Sequence, residues 1–279
     1  MSSYAYYNGL FDRREKIHIP LSDRSIFFGD AVYDAAIGSY DRILWEDEHI
    51  ERFLHGAERL KIQHEYTKEH LASLLREVAI KSMLNSYFIY FQLSRNSSRR
   101  NHSAVGCNAN LLITIEPIDF DTSAPYMRLA TAIDRRYDYC DIKTTNLIPA
   151  VIESTNAEKA GYDEAVFVKD GYITECAKSN ISIINQGRVI THPKNNRILP
   201  GVTREHLLQL CKENNIPYEE RPFSLNELFS ADDILVTSCT KMCRPVNMID
   251  GISVGGGDDR LKNFLCSLMQ AEFYKILRK

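Results

Sequence analysis

The chain has 279 residues, 44% hydrophobic and 25% charged, enough apolar material for one large core or two modest ones, and two domains is the expectation. Its formal net charge of -3 supplies no global positive field to draw it onto nucleic acid or anionic lipid, so partners are expected to be small molecules or copies of itself. Seven scattered cysteines without paired short spacings read as reduced thiols, and the absence of a leader-like start or an apolar run near the roughly 18 residues of a membrane span sets the expectation of a soluble cytoplasmic protein.

From the N-terminus, residues 31–39 and 87–93 are rich in aromatic and β-branched side chains and read as strands, whereas residues 46–61 place Ile50, Phe53, Leu54, Ala57 and Leu60 at helical spacing. Thr67 precedes a second amphipathic run at 68–83, and residues 109–115 add an apolar strand; together these predict a smaller α+β domain over residues 1–118. The stretch PIDFDTSAP, residues 117–125, lacks periodicity and marks an interdomain linker, placed at 119–126. A larger C-terminal domain, residues 127–279, opens with a strand at 128–133 and a helix at about 147–160. Strands at 164–168 and 172–175 flank an Asp170-Gly171 turn, and strands at 180–184 and 188–191 flank Gln186-Gly187. A helix begins near Gly201, Ser224 and Glu227 have capping-box spacing, and a last helix is expected over residues 259–277.

Several segments could carry chemistry. Lys143 lies in a polar stretch between a strand and a helix; most lysines are solvated, whereas a Schiff-base lysine must be partly desolvated, and sequence position does not separate the two. Pro200-Gly201-Val202-Thr203-Arg204 opens a helix whose free N–H groups and dipole suit a phosphate, although most such starts are plain caps. Residues 94–102 crowd Arg95, Arg99, Arg100 and His102 behind a strand, which makes either an anion clamp or a solvated loop. Glu175, at the end of a hairpin strand, is either a functional carboxylate or a surface residue. Cys239 and Cys243 lack a second pair of ligands, so no metal is expected.

In this order the segments resemble the fold-type IV pyridoxal-phosphate enzymes, which include D-amino-acid transaminases, branched-chain aminotransferases and aminodeoxychorismate lyases. The landmarks are DRSIFFGDAVY at 23–33, EHIER at 48–52, DIK at 141–143, ITE at 173–175 and ILPGVTR at 198–204, and the likeness runs from about Tyr7 to the last helix. The resemblance implies a two-domain α+β fold with pyridoxal 5'-phosphate between the domains. Lys143 would form the Schiff base and shuttle the proton; Arg52, Val202 and Thr203, with Cys239 and Thr240, would hold the phosphate; Glu175 would face the pyridine nitrogen and keep it protonated. Arg100 and His102 match the Arg-x-His pair that holds the substrate α-carboxylate in D-amino-acid transaminases, a spacing that branched-chain enzymes lack. Tyr33 matches a tyrosine of the same trap. In those enzymes the pair reaches in from the neighbouring subunit, which implies a homodimer.

Departures from the family pattern are Lys178, at a position that is small in the relatives, Cys239 in place of a phosphate-contacting threonine, and Arg244. An inward-pointing Lys178 or Lys241 would favour a dicarboxylate or other anionic substrate. The expected activity is ping-pong transfer of an amino group from a D-amino acid to a 2-oxo acid such as 2-oxoglutarate. The alternatives are pyruvate release from aminodeoxychorismate, branched-chain transamination, and a noncatalytic homologue that binds the cofactor without turnover.

Overall fold

The structure, a computed structural model, describes residues 3–96, 100–120, 126–257 and 259–277. Arg99 of the expected clamp and residues 121–125 of the expected linker lie outside the described residues. The chain divides into two compact units: Met1–Phe120 with Ile142–Asn146 and Tyr274–Lys279, and Asp121–Asp141 with Leu147–Phe273. Sequence alone assigns residue 143 to the second domain; the structure groups it with the first, because its backbone bonds along a strand of that unit and Ile142 is buried in that unit's core.

The first unit is built on a fully antiparallel sheet. Its strands are β1 (Tyr4–Tyr7), β2 (Leu10–Arg13), β3 (Ala31–Ser39), β4 (Arg42–Ile43), β5 (Tyr87–Asn96) and β6 (Asn108–Pro117), in the order β2-β1-β6-β5-β3-β4. Alternate residues of β5, Tyr87, Ile89, Phe91 and Leu93, are fully buried on one face, the period-two pattern of a sheet with one covered side. Helices α2 (Glu46–Arg59) and α3 (Lys68–Ser82) supply the cover through Ile50, Phe53, Leu71, Leu75 and Val78, and Phe53 meets Phe91 edge to face at 4.9 Å. Thr67 caps α3 by accepting from the His70 amide at 3.2 Å. A short helix, α1 (Arg24–Phe28), precedes β3. The β1–β2 hairpin is an addition to the expected elements; Asn8 and Gly9, both at positive φ, are the residues a tight hairpin turn demands.

The second unit holds a sheet of β7 (Met127–Ile133), β8 (Glu164–Lys169), β9 (Tyr172–Cys176), β10 (Asn180–Asn185), β11 (Arg188–Thr191), β12 (Tyr218–Glu220), β13 (Asp233–Ser238) and β14 (Met242–Ile249), with β15 (Ile252–Ser253) paired to β14. The order is β12-β11-β10-β13-β14-β7-β8-β9. Parallel pairs, β7 with β8 and β14 with β7, sit at its middle, and helix α4 (Ile148–Lys159) forms part of the connection that a parallel β7–β8 pair requires. Helix α5 (Val202–Glu213) follows β11, α6 (Leu225–Phe229) starts from a complete Ser224–Glu227 capping box, and α7 (Asp259–Leu277) closes the chain. Strands β13 and β14, unforeseen in the sequence, pack Ile234, Val236 and Val246 into the unit's core with Ile173, Ile181 and Phe223. Among the described residues, no helix is long and apolar enough to cross a membrane.

Candidate active site

One edge of β3 is paired along its length with β5, while β4 takes only the far end of the other edge, at Gly38 and Ser39. Residues 143–145 take the near end. The Tyr33 amide donates to the Lys143 carbonyl at 2.9 Å and the Thr145 amide to the Ala31 carbonyl at 3.2 Å. Thr145 Oγ1 and Asn146 Nδ2 both donate to the Gly29 carbonyl at 2.9 Å. Gly29 sits at φ 59, and a Cβ there would lie 2.6 Å from Asn146 Oδ1, so the turn requires glycine for both its backbone angle and its lack of side chain. With the backbone anchored on both sides, Lys143 is half-buried and places its Nζ 4.5 Å from the centre of the Tyr33 ring. Tyr33 is braced in turn by Tyr90, stacked at 5.1 Å.

His49 and Arg52 stand three residues apart on α2 and so share a face of the helix. Both meet Asp34, which is 0% exposed. The guanidinium grips both carboxylate oxygens, Nε to Oδ2 and Nη2 to Oδ1 at 2.8 Å each, and His49 Nδ1 lies 2.8 Å from Oδ1. Burial pushes the Asp34 carboxyl up, but Arg52 and His49 outweigh it and hold the group well below the usual carboxylate range. Burial pulls His49 down, aided by Arg52 and Lys143 and opposed by Asp34, so the ring is neutral near pH 7, and the ionised Asp34 makes Nδ1–H the donor to its carboxylate. Among the described residues no partner reaches its buried Nε2. Sequence reasoning selects Arg52 but misses Asp34 and His49. The available signal was an acidic residue inside the apolar run of β3, since a buried charge must be paired.

Arg100 and His102 are exposed on the loop after β5, both against the Phe28 ring, with Arg100 Cζ at 5.0 Å and the His102 ring at 5.2 Å from its centre. Beneath the loop lies Arg24, 4% exposed. It donates to the Asn101 carbonyl, to the His102 carbonyl at 3.0 Å and to the Ser103 carbonyl at 3.5 Å, and its Nε meets Asp30 at 2.7 Å. Asp23 starts this arrangement, capping α1 at the Ser25 amide, 2.9 Å, and accepting from Ser94 Oγ at 2.6 Å and Asn110 Nδ2 at 2.8 Å. Arg95, which the sequence groups with the clamp, is instead taken up by Asp30 and the Leu60 carbonyl. The described ring contacts of Arg100 and His102 are to Phe28, and those of Tyr33 are to Tyr90 and Lys143.

The second unit carries the expected carboxylate. Glu175 is buried on β9 and meets three donors: Arg136 pairs with Oε1, Asn180 Nδ2 donates to Oε2 at 2.9 Å, and the Leu199 amide reaches both oxygens at 3.2 and 3.1 Å. Arg136 is also bidentate to Asp134, Nε to Oδ1 at 3.0 Å and Nη2 to Oδ2 at 2.8 Å. Asn180 donates as well to the Leu199 carbonyl at 2.9 Å, and its Oδ1 occupies the space above Gly201, where a Cβ would lie 2.0 Å away. Gly201 is the N-cap of α5, whose first turn has no side-chain cap, so the Val202 and Thr203 amides find no partner from that quarter. The carboxylate and this anion-ready helix start are thus fixed to each other through one asparagine.

Cys239, Thr240 and Lys241 form the turn between β13 and β14. Lys241 Nζ lies 2.5 Å from the fully buried Glu164, which also accepts from Ser179 Oγ at 2.8 Å and the Lys178 amide at 2.6 Å. The Lys241 charge is therefore compensated within the unit, while Lys178 is exposed. Arg244 is buried and donates to the Lys241 carbonyl at 3.1 Å, a role in holding the turn.

The amino-transferase class IV family model matches residues 31–249. The chain belongs to the class IV aminotransferases. This aminotransferase is 34% identical over 258 residues to the D-alanine aminotransferase of Bacillus licheniformis, covering 90% of each chain. Its fold is that of the branched-chain aminotransferase of Thermoproteus uzoniensis, with a TM-score of 0.89 at 20% identity over 99% of this chain and 97% of that one. The branched-chain enzyme of Thermobaculum terrenum in its PLP form gives a TM-score of 0.88 at 18% identity over 98% and 94%. Class IV aminotransferases are pyridoxal-phosphate enzymes, and the residues of this one fit that group. Each unit by itself carries groups of the kind that cofactor calls for: the first an anchored amine at Lys143, the second a helix start at Val202 without a side-chain cap and a buried carboxylate at Glu175.

Proposed function

We propose that this aminotransferase moves an amino group from a D-amino acid, with D-alanine as the reference donor, to a 2-oxo acid in two half-reactions. The observation that carries it is the kinship with D-alanine aminotransferases over nine tenths of the chain, supported by the Arg100 and His102 pair on its anchored loop. Pyridoxal 5'-phosphate, when bound, supplies an electrophilic aldehyde and a ring that stabilises negative charge at the substrate α-carbon. Lys143 Nζ removes the α-proton in one half-reaction and returns a proton to that carbon in the other. Arg52, aimed by Asp34, holds the phosphate together with the Val202 and Thr203 amides and the Cys239-Thr240 turn. Glu175 would accept a hydrogen bond from the protonated ring nitrogen. Tyr33, Arg100 and His102 bind the α-carboxylate, a planar anion that suits a guanidinium.

Arg100 and His102 are exposed in the single chain, which supports a homodimer in which they serve the neighbouring copy. Seven thiols without a disulfide fit a reducing cytoplasm. With Lys241 paired to Glu164 and Lys178 exposed, neither lysine calls for a dicarboxylate donor. The test is to supply D-alanine and 2-oxoglutarate: pyruvate and D-glutamate are expected, and Lys143→Ala abolishes both. Pyruvate release from aminodeoxychorismate without an amino acceptor, or turnover confined to L-leucine, overturns the assignment.

A further inference from the structure

Two carboxylates and one guanidinium, all withdrawn from solvent, form a single cluster in the second unit. Side-chain exposures are 2% for Asp134, 12% for Arg136 and 7% for Glu175. The guanidinium spans both acids, lies with its Cζ 4.6 Å from the centre of the Phe167 ring, and donates also to Thr174 Oγ1 at 3.3 Å and the Arg197 carbonyl at 3.1 Å. Thr174 Oγ1 donates to Asp134 Oδ2 at 2.8 Å, which fixes the second acid from its other side. These contacts fix the guanidinium between the two acids and aim it at Glu175.

Charge explains why a second acid is present. Arg136 and Glu175 alone would be a neutral pair, and a neutral pair has little attraction for a protonated ring nitrogen. The other titratable neighbours carry no charge near pH 7: burial pushes the Cys140 thiol up to about 11, burial pushes Cys176 up well above its ordinary value, and burial pulls His192 down. Lys169 and Arg197, farther out, pair with Asp138 at 3.0 Å and Asp170 at 3.1 Å. Asp134 therefore decides the sum. We propose that Arg136, backed by Asp134, is a positioning residue that orients Glu175 and gives the three-residue cluster one net negative charge toward the cofactor's ring nitrogen.

It rests on the proposed role of Glu175 and extends it. Removing Asp134 leaves a neutral pair; removing Arg136 leaves two adjacent carboxylates, which must share a proton. The first change removes the net negative charge; the second keeps it but frees Glu175 to turn and lets the shared proton occupy it, so each weakens the hold on the proton of the ring nitrogen while Lys143 is unaltered.

The experiment follows the nitrogen-15 chemical shift of ring-labelled cofactor bound to wild type and to Asp134→Asn, Arg136→Met, Arg136→Lys and Glu175→Gln, across pH, with thermal melting of each apoprotein as a fold control. Wild type is expected to keep the protonated shift throughout. In Asp134→Asn the ring nitrogen loses its proton at least one pH unit lower, an affinity change of about tenfold or more. Arg136→Lys, which keeps the charge, stays closer to wild type than Arg136→Met. A normal shift in Asp134→Asn and Arg136→Met alongside a changed one in Glu175→Gln overturns the positioning role and leaves Glu175 in place. An unchanged shift in Glu175→Gln removes Glu175 as the ring's partner and the proposal with it. Asp134→Asn is isosteric and keeps Arg136, so it decides the matter even if Arg136→Met fails to fold.

Discussion

Asp34 receives a guanidinium and an imidazole on one fully buried carboxylate, and that makes folding of the first unit sensitive to acid. The His49 proton affinity is lowered in the fold, so below the ordinary histidine value of 6.5 the unfolded chain binds a proton that the folded chain does not. Stability contributed by His49 is present above that pH and falls on acidification, by up to about 1.4 kcal/mol per pH unit for one proton. Asp34 has the same sign: its lowered affinity adds a second loss once pH drops below its ordinary value of 3.8. Urea titrations of the apoprotein between pH 7 and pH 5 are expected to show the first slope, and His49→Gln to flatten it. Arg24 supports a second prediction at this scale. Its donors to the Asn101, His102 and Ser103 carbonyls shape the loop that presents Arg100 and His102. Arg24→Gln is expected to raise the KM for D-alanine about tenfold, near 1.4 kcal/mol, with a smaller effect on kcat. Arg24→Lys should not rescue it, because an ammonium cannot reproduce the planar fork.

Helix α5 shows what one missing methyl group does for an element. Gly201 is the N-cap, at φ -70, an angle that any residue can adopt, so its need for glycine comes from the neighbour and not from the backbone. Asn180 Oδ1 fills the space a Cβ would take, and the same side chain donates to Glu175 and to the Leu199 carbonyl. Gly201→Ala must displace Asn180 and break both bonds, a loss of about 2 kcal/mol, one of the two being charge-assisted. Calorimetry of the apoprotein would register the loss, and titration with pyridoxal phosphate would register weaker binding through the disturbed helix start. The α6 capping box is independent of the site. Ser224→Ala is expected to cost about 1 kcal/mol in urea denaturation and to leave pyridoxal-phosphate affinity unchanged.

At the level of the whole molecule the proposed homodimer has a direct consequence, since the clamp and the lysine would come from different copies. Neither Lys143→Ala nor the Arg100→Ala, His102→Ala double variant should transaminate D-alanine well alone. Mixed, unfolded and refolded together, they should regain about a quarter of wild-type activity, because half of the dimers pair one of each and each such dimer has one intact site. No recovery on mixing, with both variants dimeric by sedimentation, would place the clamp and the lysine in the same chain.

Periodic elements were legible in the sequence because their signal is local. Helices α2 and α3, the Asp170-Gly171 and Gln186-Gly187 hairpins and the α6 capping box are each decided by residues within a turn or two of one another. The landmarks at 23–33 and 198–204 were equally readable, and their physical content is now plain in Asp23 as a cap, Arg24 as a loop anchor and Gly29 and Gly201 as close approaches. Tertiary structure alone decided that residues 142–146 leave the second half of the chain to bond along β3. It alone joined Asp34 to Arg52, Arg136 to Glu175 and Lys241 to Glu164. Such pairings depend on which buried charges the folded backbone brings within hydrogen-bond reach, and a chain read one residue at a time carries no record of that distance.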